Sequence, residues 1–211
     1  ALCVHRSSPG DLRRGRIETL ESGQVPPTAY LPECTGWSQM EDAVRGLLDE
    51  KHEYRTLVID TANGACDMLA EEVKRTSFNN SQTDFNDYGK GQLQVRARWG
   101  AFLKSLDSLR VNRKVTIILL NHTKVKTFSD PAGKDYDQYI PDGNPKCWEL
   151  TRQWADIIAY GGLKVQVSRD DKAYGDAKRY LRVESTPSIV AKNRYGLPPE
   201  IFPRGTGAKA M

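Results

Sequence analysis

Two short apolar segments, each followed at once by a polar side chain, most constrain what this chain can fold into. TLVID, residues 56–60, ends on the carboxylate of Asp60, and VTIILL, residues 115–120, is followed by Asn121 and His122. Short runs rich in leucine and β-branched residues are typical of buried strands in a parallel sheet. A carboxylate is costly to bury, whereas the carboxyl end of a parallel strand faces a crevice where ligands bind. The pattern therefore predicts two neighbouring strands whose polar ends share one ligand site.

Helical periodicity surrounds these strands and sets the expected fold class. Apolar residues recur at helical spacing after Ser38, which forms a capping-box pattern with Glu41, and again over about 66–74, 94–109 and 147–159. The N-terminal ALCVH reads as a strand, whereas LKVQVS, RYLRVES and SIVAKN near the C-terminus are typical of antiparallel strands joined by short turns. We expect an α/β fold with a mostly parallel sheet flanked by helices and antiparallel strands at the C-terminal end.

The other segments are interpreted as connections. Residues 19–36 are predicted to be irregular, residues 77–92 to form a polar loop, and residues 121–146 to form a long loop, which in a compact domain is usually functional or disordered. With 211 residues, the chain is predicted to be a single core over residues 1–203 followed by a flexible tail over 204–211.

Composition narrows the class of protein. The net charge of +4 permits a nucleic-acid or nucleotide partner without requiring one. The four cysteines are far apart with no CxxC pair, so they are interpreted as reduced thiols rather than as a disulfide framework or a zinc site. No apolar run approaches 18 residues and no signal peptide is evident, so we expect a cytoplasmic protein without a membrane partner.

The order of the segments and the polar strand ends resemble RecA-like P-loop ATPases. Asp60 matches their Walker B carboxylate, and Asn121-His122 matches the polar sensor at the end of the neighbouring strand. Residues 192–196, KNRYG, resemble the Lys-x-Arg turn that such ATPases insert into the nucleotide site of a neighbouring subunit. The resemblance covers roughly residues 40–203 and is closest to phage-type nucleotide-binding proteins of recombination and single-strand annealing.

This resemblance implies ATP and Mg²⁺ as cofactors and a self-associating ring or filament. Asp60 would hold Mg²⁺ through water, and Thr61 would add a hydroxyl. Asn121 or His122 would sense the γ-phosphate or the attacking water, while Lys192 and Arg194 would neutralise charge on the nucleotide of a neighbour. If Asp60 acts outside this family, it fits a metal-dependent phosphoryl-transfer enzyme.

The sequence departs from the family pattern in two places. The Walker A pattern G-x-x-x-x-G-K-[ST] is absent, since Gly89-Lys90 and Gly133-Lys134 have neither the earlier glycine nor a following serine or threonine. We expect that the chain as given begins after that element. The stretch HRSSPGD, where relatives carry a catalytic glutamate, offers only Asp11.

The segment after the second strand offers a candidate surface for single-stranded DNA. In RecA-like ATPases the loop at this place often contacts the strand, with lysines neutralising phosphates and aromatic rings stacking on bases. Four aspartates offset its lysines, so a plain solvated surface is the other interpretation. A non-catalytic nucleic-acid-binding or assembly module stays an alternative to the ATPase. The candidate DNA contacts are Lys124, Lys126, Phe128, Lys134, Tyr136 and Tyr139.

Overall fold

A computed structural model of the chain describes residues 2–5, 29–30, 34–131, 133–164, 166–167, 173–174 and 178–202. The chain divides into two compact units, of which the first comprises residues 1–122 and 141–154, and the second residues 123–140 and 155–211. The single core over residues 1–203 stays a prediction, and the tail over 204–211 lies outside the described residues. No helix in the described part of the chain is long and apolar enough to cross a membrane.

The first unit is built on a parallel sheet, as the sequence predicted. Across the two strands that the sequence predicted, Leu57 pairs with Ile117, Ile59 with Leu119, and Asp60 with Leu120. The N-terminal segment ALCVH contributes the next strand, also in parallel register. In spatial order the described strands are β2 (Ala29–Tyr30), β1 (Leu2–His5), β3 (Thr56–Asp60) and β4 (Thr116–Leu120).

One long helix organises the packing of the first unit. This helix, α4 (Lys90–Arg113), packs against each of the other helices in the described part of the chain. Its apolar face is buried through Trp99, Phe102 and Leu106, and Phe102 meets Trp37 edge-on at 4.9 Å between ring centroids. It extends beyond both ends of the helix predicted over 94–109. The helices are α1 (Trp37–Asp49), α2 (Ala62–Ser77), α3 (Gln82–Asn86), α4 (Lys90–Arg113) and α5 (Pro145–Trp154).

The capping box predicted at Ser38 is wrong. Helix α1 begins at Trp37, its N-cap is Gly36, and the cap makes no side-chain hydrogen bond. Trp37 is fully buried in the core. Burying an indole ring outweighs a capping hydrogen bond of about 1 kcal/mol, so packing decides where this helix starts.

The polar loop predicted over residues 77–92 is also wrong, because the segment contains α3, a short 3₁₀ turn at Asp87–Gly89 and the start of α4. Phe85 anchors this segment in the core and is buried against Phe78. Gly91 makes this possible, since a Cβ at that position would lie 2.4 Å from the Phe85 ring. The glycine that indicated a loop instead allows a ring to approach a helix.

The second unit consists of short, mainly antiparallel strands. Strand β11 (Arg179–Arg182) pairs along four residues with β8 (Tyr160–Leu163), and its other edge pairs with β13 (Glu200–Ile201). Strand β12 (Lys192–Asn193) pairs with β7 (Ile157–Ile158). This confirms the antiparallel C-terminal end. The strands are β5 (Thr123–Phe128), β6 (Tyr136–Pro141), β7 (Ile157–Ile158), β8 (Tyr160–Leu163), β9 (Gln166–Val167), β10 (Ala173–Tyr174), β11 (Arg179–Arg182), β12 (Lys192–Asn193) and β13 (Glu200–Ile201).

Three connections differ from their predictions. The long loop over 121–146 contains the paired strands β5 and β6 as well as the start of α5. The helix predicted over 147–159 ends at Trp154, and Ile157–Ile158 forms strand β7 instead. Residues 29–30 of the segment predicted to be irregular pair with β1. In the last two cases pairing with a strand distant in sequence overrides the local pattern, whereas β5 and β6 are neighbours along the chain and pair with each other.

Strand β4 is less buried than its sequence predicted. Val115, just before it, is buried, but Ile118 and Leu120 are 41% and 43% exposed. The hydrophobic core lies against the other face of the sheet, where Ile117 and Leu119 pack. The run of apolar residues thus corresponds to a strand with only one covered face.

The interpretation of every cysteine as a reduced thiol is wrong for one pair. Cys66 near the start of α2 and Cys147 near the start of α5 form a disulfide, with Cα atoms 6.7 Å apart. Both helices pack against α4, which brings together two residues separated by 81 positions in sequence. Sequence spacing carried no signal of this proximity.

Reducing this bond is expected to expose two additional thiols in the unfolded protein and to lower the free energy of unfolding by about 2–5 kcal/mol. The measurements are a thiol titration in denaturant and urea unfolding, each with and without reductant. A Cys66→Ser variant serves as the control, because its stability should no longer respond to reductant. Equal numbers of titratable thiols in the denatured protein with and without reductant would contradict the pairing.

Candidate functional site

The carboxyl edge of strands β3 and β4 carries the first two predicted site residues. Asp60 is the last residue of β3 and pairs with Leu120, the last residue of β4, and Asn121 follows at once. Adjacent strands lie about 4.8 Å apart, so the backbones of these two polar positions are neighbours. The register therefore brings Asp60 and Asn121 to one edge, as predicted.

Thr61, the residue after Asp60, caps the start of helix α2. It is the N-cap of α2, and its hydroxyl accepts a hydrogen bond from the N–H of Gly64 at 3.3 Å. The peptide bond between Asp60 and Thr61 is cis. The start of α2 directs the positive end of its dipole toward this edge, where a negatively charged group is stabilised.

Asn121 is held by backbone carbonyls in this conformation. Its side-chain amide donates to the carbonyl oxygens of His122 at 2.7 Å and Asp142 at 3.0 Å. An amide nitrogen has two hydrogens, so both are directed at the backbone, and contact with a phosphate requires one of them to change partner. His122 is exposed beside it, and its carbonyl also accepts the N–H of Asp142.

A segment that sequence reasoning missed, residues 142–144, forms the rim of this edge. Gly143 has φ +107° and lies so close to α2 that a Cβ would be 2.8 Å from the Cβ of Asn63. Asn144 donates to Gln92 at 2.8 Å and accepts the N–H of Lys146. The turn-forming sequence Asp-Gly-Asn-Pro was the available signal, but nothing in it indicated the contact with Asn121.

Magnesium would be held here by few protein ligands. The described residues contain no cluster of three or more histidine, cysteine, aspartate or glutamate side chains suited to a metal. Mg²⁺ bound with a nucleotide keeps several waters and needs only one or two carboxylates beside the phosphates. The single carboxylate of Asp60, at the start of a helix that favours anions, fits that requirement.

The second unit carries the predicted Lys192 and Arg194. Lys192 lies in β12 opposite Ile158, and Arg194 follows in a turn that ends at Leu197. The Arg194 guanidinium forms an ion pair with Asp156 at 2.9 Å and is 51% exposed. Lys192 and Arg194 thus lie in β12 and the turn after it, in the second unit, whereas Asp60 and Asn121 belong to the first.

The candidate DNA contacts divide between the two faces of the β5–β6 hairpin. Thr127 bonds Asp137, and the rings of Phe128 and Tyr136 lie 5.3 Å apart, which pairs the strands across the hairpin. Because side chains alternate along a strand, Lys124, Lys126 and Phe128 project from one face together with Tyr136, and Tyr139 projects from the other. Lys134 lies in the connection before β6.

Tyr139 joins a row of tyrosines instead of the lysine face. Its ring lies 5.1 Å from Tyr160, which lies 6.5 Å from Tyr180. Burial is the first cause that raises the pKa of the Tyr160 hydroxyl, followed by its tyrosine neighbours. The Tyr160 hydroxyl therefore stays uncharged at neutral pH.

An α/β unit with a parallel sheet, a strand-end carboxylate and a polar group on the adjacent strand end is the arrangement of α/β proteins that bind a ligand at the carboxyl edge of the sheet. The family model described as an AAA domain matches residues 16–195, and the chain belongs to this family. It is therefore an ATPase-type, nucleotide-binding domain, for which ATP and usually Mg²⁺ are the expected ligands. No curated protein matches the chain.

Replacing Gly143 with alanine is expected to destabilise the first unit by about 1–3 kcal/mol, because alanine is strained at this φ and its methyl group overlaps Asn63. Urea unfolding followed by tryptophan fluorescence measures the change. Gly100→Ala is the matched control, since a Cβ there would meet Leu150 at an ordinary 3.5 Å within helix α4. That variant should be neutral or slightly more stable. Equal stability of Gly143→Ala and wild type would contradict the close approach.

Proposed function

We propose that this chain is the core of an oligomeric ATPase that uses Mg-ATP and single-stranded DNA in phage recombination or single-strand annealing. The observation that carries the proposal is the register that brings Asp60 and Asn121 to one sheet edge in a chain of the AAA family. The proposal places the protein in the cytoplasm, that of the host cell if it is phage-encoded.

In this proposal Asp60 holds the water shell of Mg²⁺ while the hydroxyl of Thr61 and the start of α2 orient the phosphates. Mg-ATP supplies the electrophilic phosphorus and the charge neutralisation. Asn121 keeps the 142–144 rim in place through Asp142, and His122 lies beside it as the exposed sensor. Lys192 and Arg194 serve the nucleotide of a neighbouring copy, as cationic groups do in other phosphoryl-transfer assemblies.

A phosphate-binding loop is needed to complete this site, and the sequence contains no Walker A pattern. The ATPase proposal therefore requires that a phosphate-binding segment lie beside Asp60 in the assembled, full-length protein.

The hairpin supports contact with single-stranded DNA. One face carries Lys124, Lys126 and the neighbouring rings of Phe128 and Tyr136, and every residue of β5 is exposed. Proteins bind single strands without sequence preference by combining cationic side chains along the phosphate backbone with exposed aromatic rings that stack on the bases. Lys134, in the connection before β6, extends this surface, whereas Tyr139 lies on the opposite face of the hairpin.

The missing Walker A pattern also favours a second candidate, a non-catalytic nucleic-acid-binding or assembly module built on a degenerate ATPase core. Both candidates use the hairpin, but only the ATPase needs Asp60. Hydrolysis by the full-length protein therefore distinguishes them.

Asp60→Ala is expected to reduce Mg²⁺-dependent ATP hydrolysis by the full-length protein at least about 100-fold, the scale for losing one preorganised polar group. Steady-state phosphate release at several magnesium concentrations measures the effect. Asp49→Ala, which removes an exposed carboxylate at the end of α1, is the matched control and should leave turnover unchanged. Normal turnover and magnesium dependence in Asp60→Ala would exclude the assigned role.

The double variant Lys124→Ala/Lys126→Ala is expected to weaken single-strand binding equally for all sequences. It should also lower the slope of log K against log salt by about 0.7 for each lost phosphate contact. Fluorescence anisotropy with two unrelated oligonucleotides over a salt series measures both quantities. Lys51→Ala/Lys104→Ala removes the same charge from exposed positions of the first unit and should keep the wild-type slope. Identical slopes in the two double variants would rule out the hairpin as a DNA contact.

A further inference from the structure

The turn that carries Arg194 is fixed by the side chain before it. The Asn193 carbonyl oxygen accepts the N–H groups of Tyr195 at 3.1 Å and Leu197 at 3.2 Å, and its amide donates to the Leu197 carbonyl at 2.8 Å. Gly196 has φ +65°, a backbone conformation that is strained for residues with a side chain. An asparagine that bonds the backbone after it is a standard way to hold a turn in one shape. The backbone that presents Arg194 is thus set in advance.

The guanidinium itself is directed by Asp156. One carboxylate oxygen accepts Nη1 of Arg194 at 2.9 Å, and the other accepts the Tyr195 hydroxyl at 3.2 Å. The backbone N–H of Arg194 also donates to the Asp156 carbonyl at 3.3 Å. Asp156 directly precedes β7, which pairs with β12, so the strand pairing holds both partners in register. One residue therefore fixes both the backbone and the head group of Arg194.

Stability alone does not account for this arrangement. The side chains of Arg194 and Asp156 are 51% and 39% exposed, and exposed ion pairs contribute at most about 1 kcal/mol. An arginine side chain, however, carries about 2 kcal/mol of rotamer entropy, which must be lost if it is ordered only when a ligand arrives. Ordering it beforehand lowers the cost of binding.

We propose that Asp156 is a positioning residue that holds Arg194 ready for the nucleotide of a neighbouring copy of this chain. The inference rests on the proposed function, because it assigns Asp156 a role through Arg194 in that same site. A guanidinium has five N–H donors in a planar fork, so an ion pair through Nη1 is compatible with donation to a phosphate. Asp156 thereby orients the fork without contacting the reacting atoms.

The opposite role is that Asp156 competes with the phosphate and restrains Arg194. The two roles differ in sign, since removing a positioning carboxylate lowers turnover and removing a competitor raises it. The geometry favours positioning, because Asp156 also accepts the Tyr195 hydroxyl and the backbone N–H of Arg194, so that it holds the turn as well as the head group.

The test compares ATP hydrolysis by the full-length, assembled protein in Asp156→Ala, Asp156→Asn, Arg194→Ala and the double variant Asp156→Ala/Arg194→Ala. Asp156→Ala is expected to lower kcat by between about 10- and 100-fold with KM for ATP unchanged, the scale for misplacing a group by about 1 Å. Asp156→Asn keeps an acceptor for Nη1 and should recover part of the loss. The double variant should be no slower than Arg194→Ala, because Asp156 acts only through Arg194.

Subunit mixing tests whether the effect reaches a neighbour. Chains carrying Asp60→Ala keep the Arg194 turn and should restore activity to Arg194→Ala chains in mixed assemblies. Adding Asp156→Ala to the Asp60→Ala chains should remove most of that recovery. Glu184→Ala, an exposed acidic position of the second unit, is the matched control and should leave recovery intact. Recovery undiminished by Asp156→Ala would overturn the proposal.

The outcomes separate this inference from the function on which it rests. If Arg194→Ala hydrolyses ATP normally, the arginine has no role and both the proposed trans contact and this inference fail. If Arg194→Ala lowers kcat while Asp156→Ala leaves kcat unchanged or raises it, only the positioning role is overturned. The same holds if the double variant loses the product of the two single losses in kcat. If Asp156→Ala is less stable than wild type on thermal unfolding, the result for Asp156→Asn is used instead, because this variant keeps the shape of the side chain and removes its charge. A wild-type kcat in Asp156→Asn overturns the role of the ion pair.

Discussion

The parallel pairing of β3 with β4 is the constraint on which the candidate site depends. In the observed register Leu57 and Ile59 face the core while Asp60 ends its strand opposite Leu120. A slip of one residue would exchange the two faces and turn the apolar residues away from the helices. Burial of two side chains on β3 thus fixes where its carboxylate lies, and the same register places Asn121 beside it.

The rim of the site depends in turn on the helical core. Trp99 of α4 is buried and donates its indole N–H to Thr151 of α5 at 2.9 Å, and the disulfide at Cys147 joins the start of α5 to α2. These contacts hold the beginning of α5, and residues 142–144 immediately before it reach Asn121 and Asn63. Packing far from the strand ends therefore positions the polar groups beside Asp60.

The second unit achieves order by a different means. Its strands are short, and much of its apolar surface is exposed, including Val125, Leu163 and Tyr195. Polar side chains hold the turn that carries Arg194, since Asn193 bonds the backbone of Leu197 and Asp156 bonds the guanidinium. An ordered but exposed turn is suited to meeting a partner, and this explains why an arginine can be both fixed and accessible.

Sequence periodicity by itself determined the fold class, the strands at 56–60 and 115–120, and the helices around Met40 and Trp99, because burial of one face imposes a repeat that the sequence must carry. It also placed Asp60 and Asn121 at strand ends. Only the tertiary structure decided the hairpin over 123–141, whose strand β5 is exposed throughout, and the short helix around Phe85, which carries no apolar repeat. The pairing of Cys66 with Cys147 depends on contacts between residues distant in sequence. The same holds for Asp156: nothing in its neighbourhood along the chain indicates Arg194, which lies 38 residues further on and reaches it only because β7 and β12 pair.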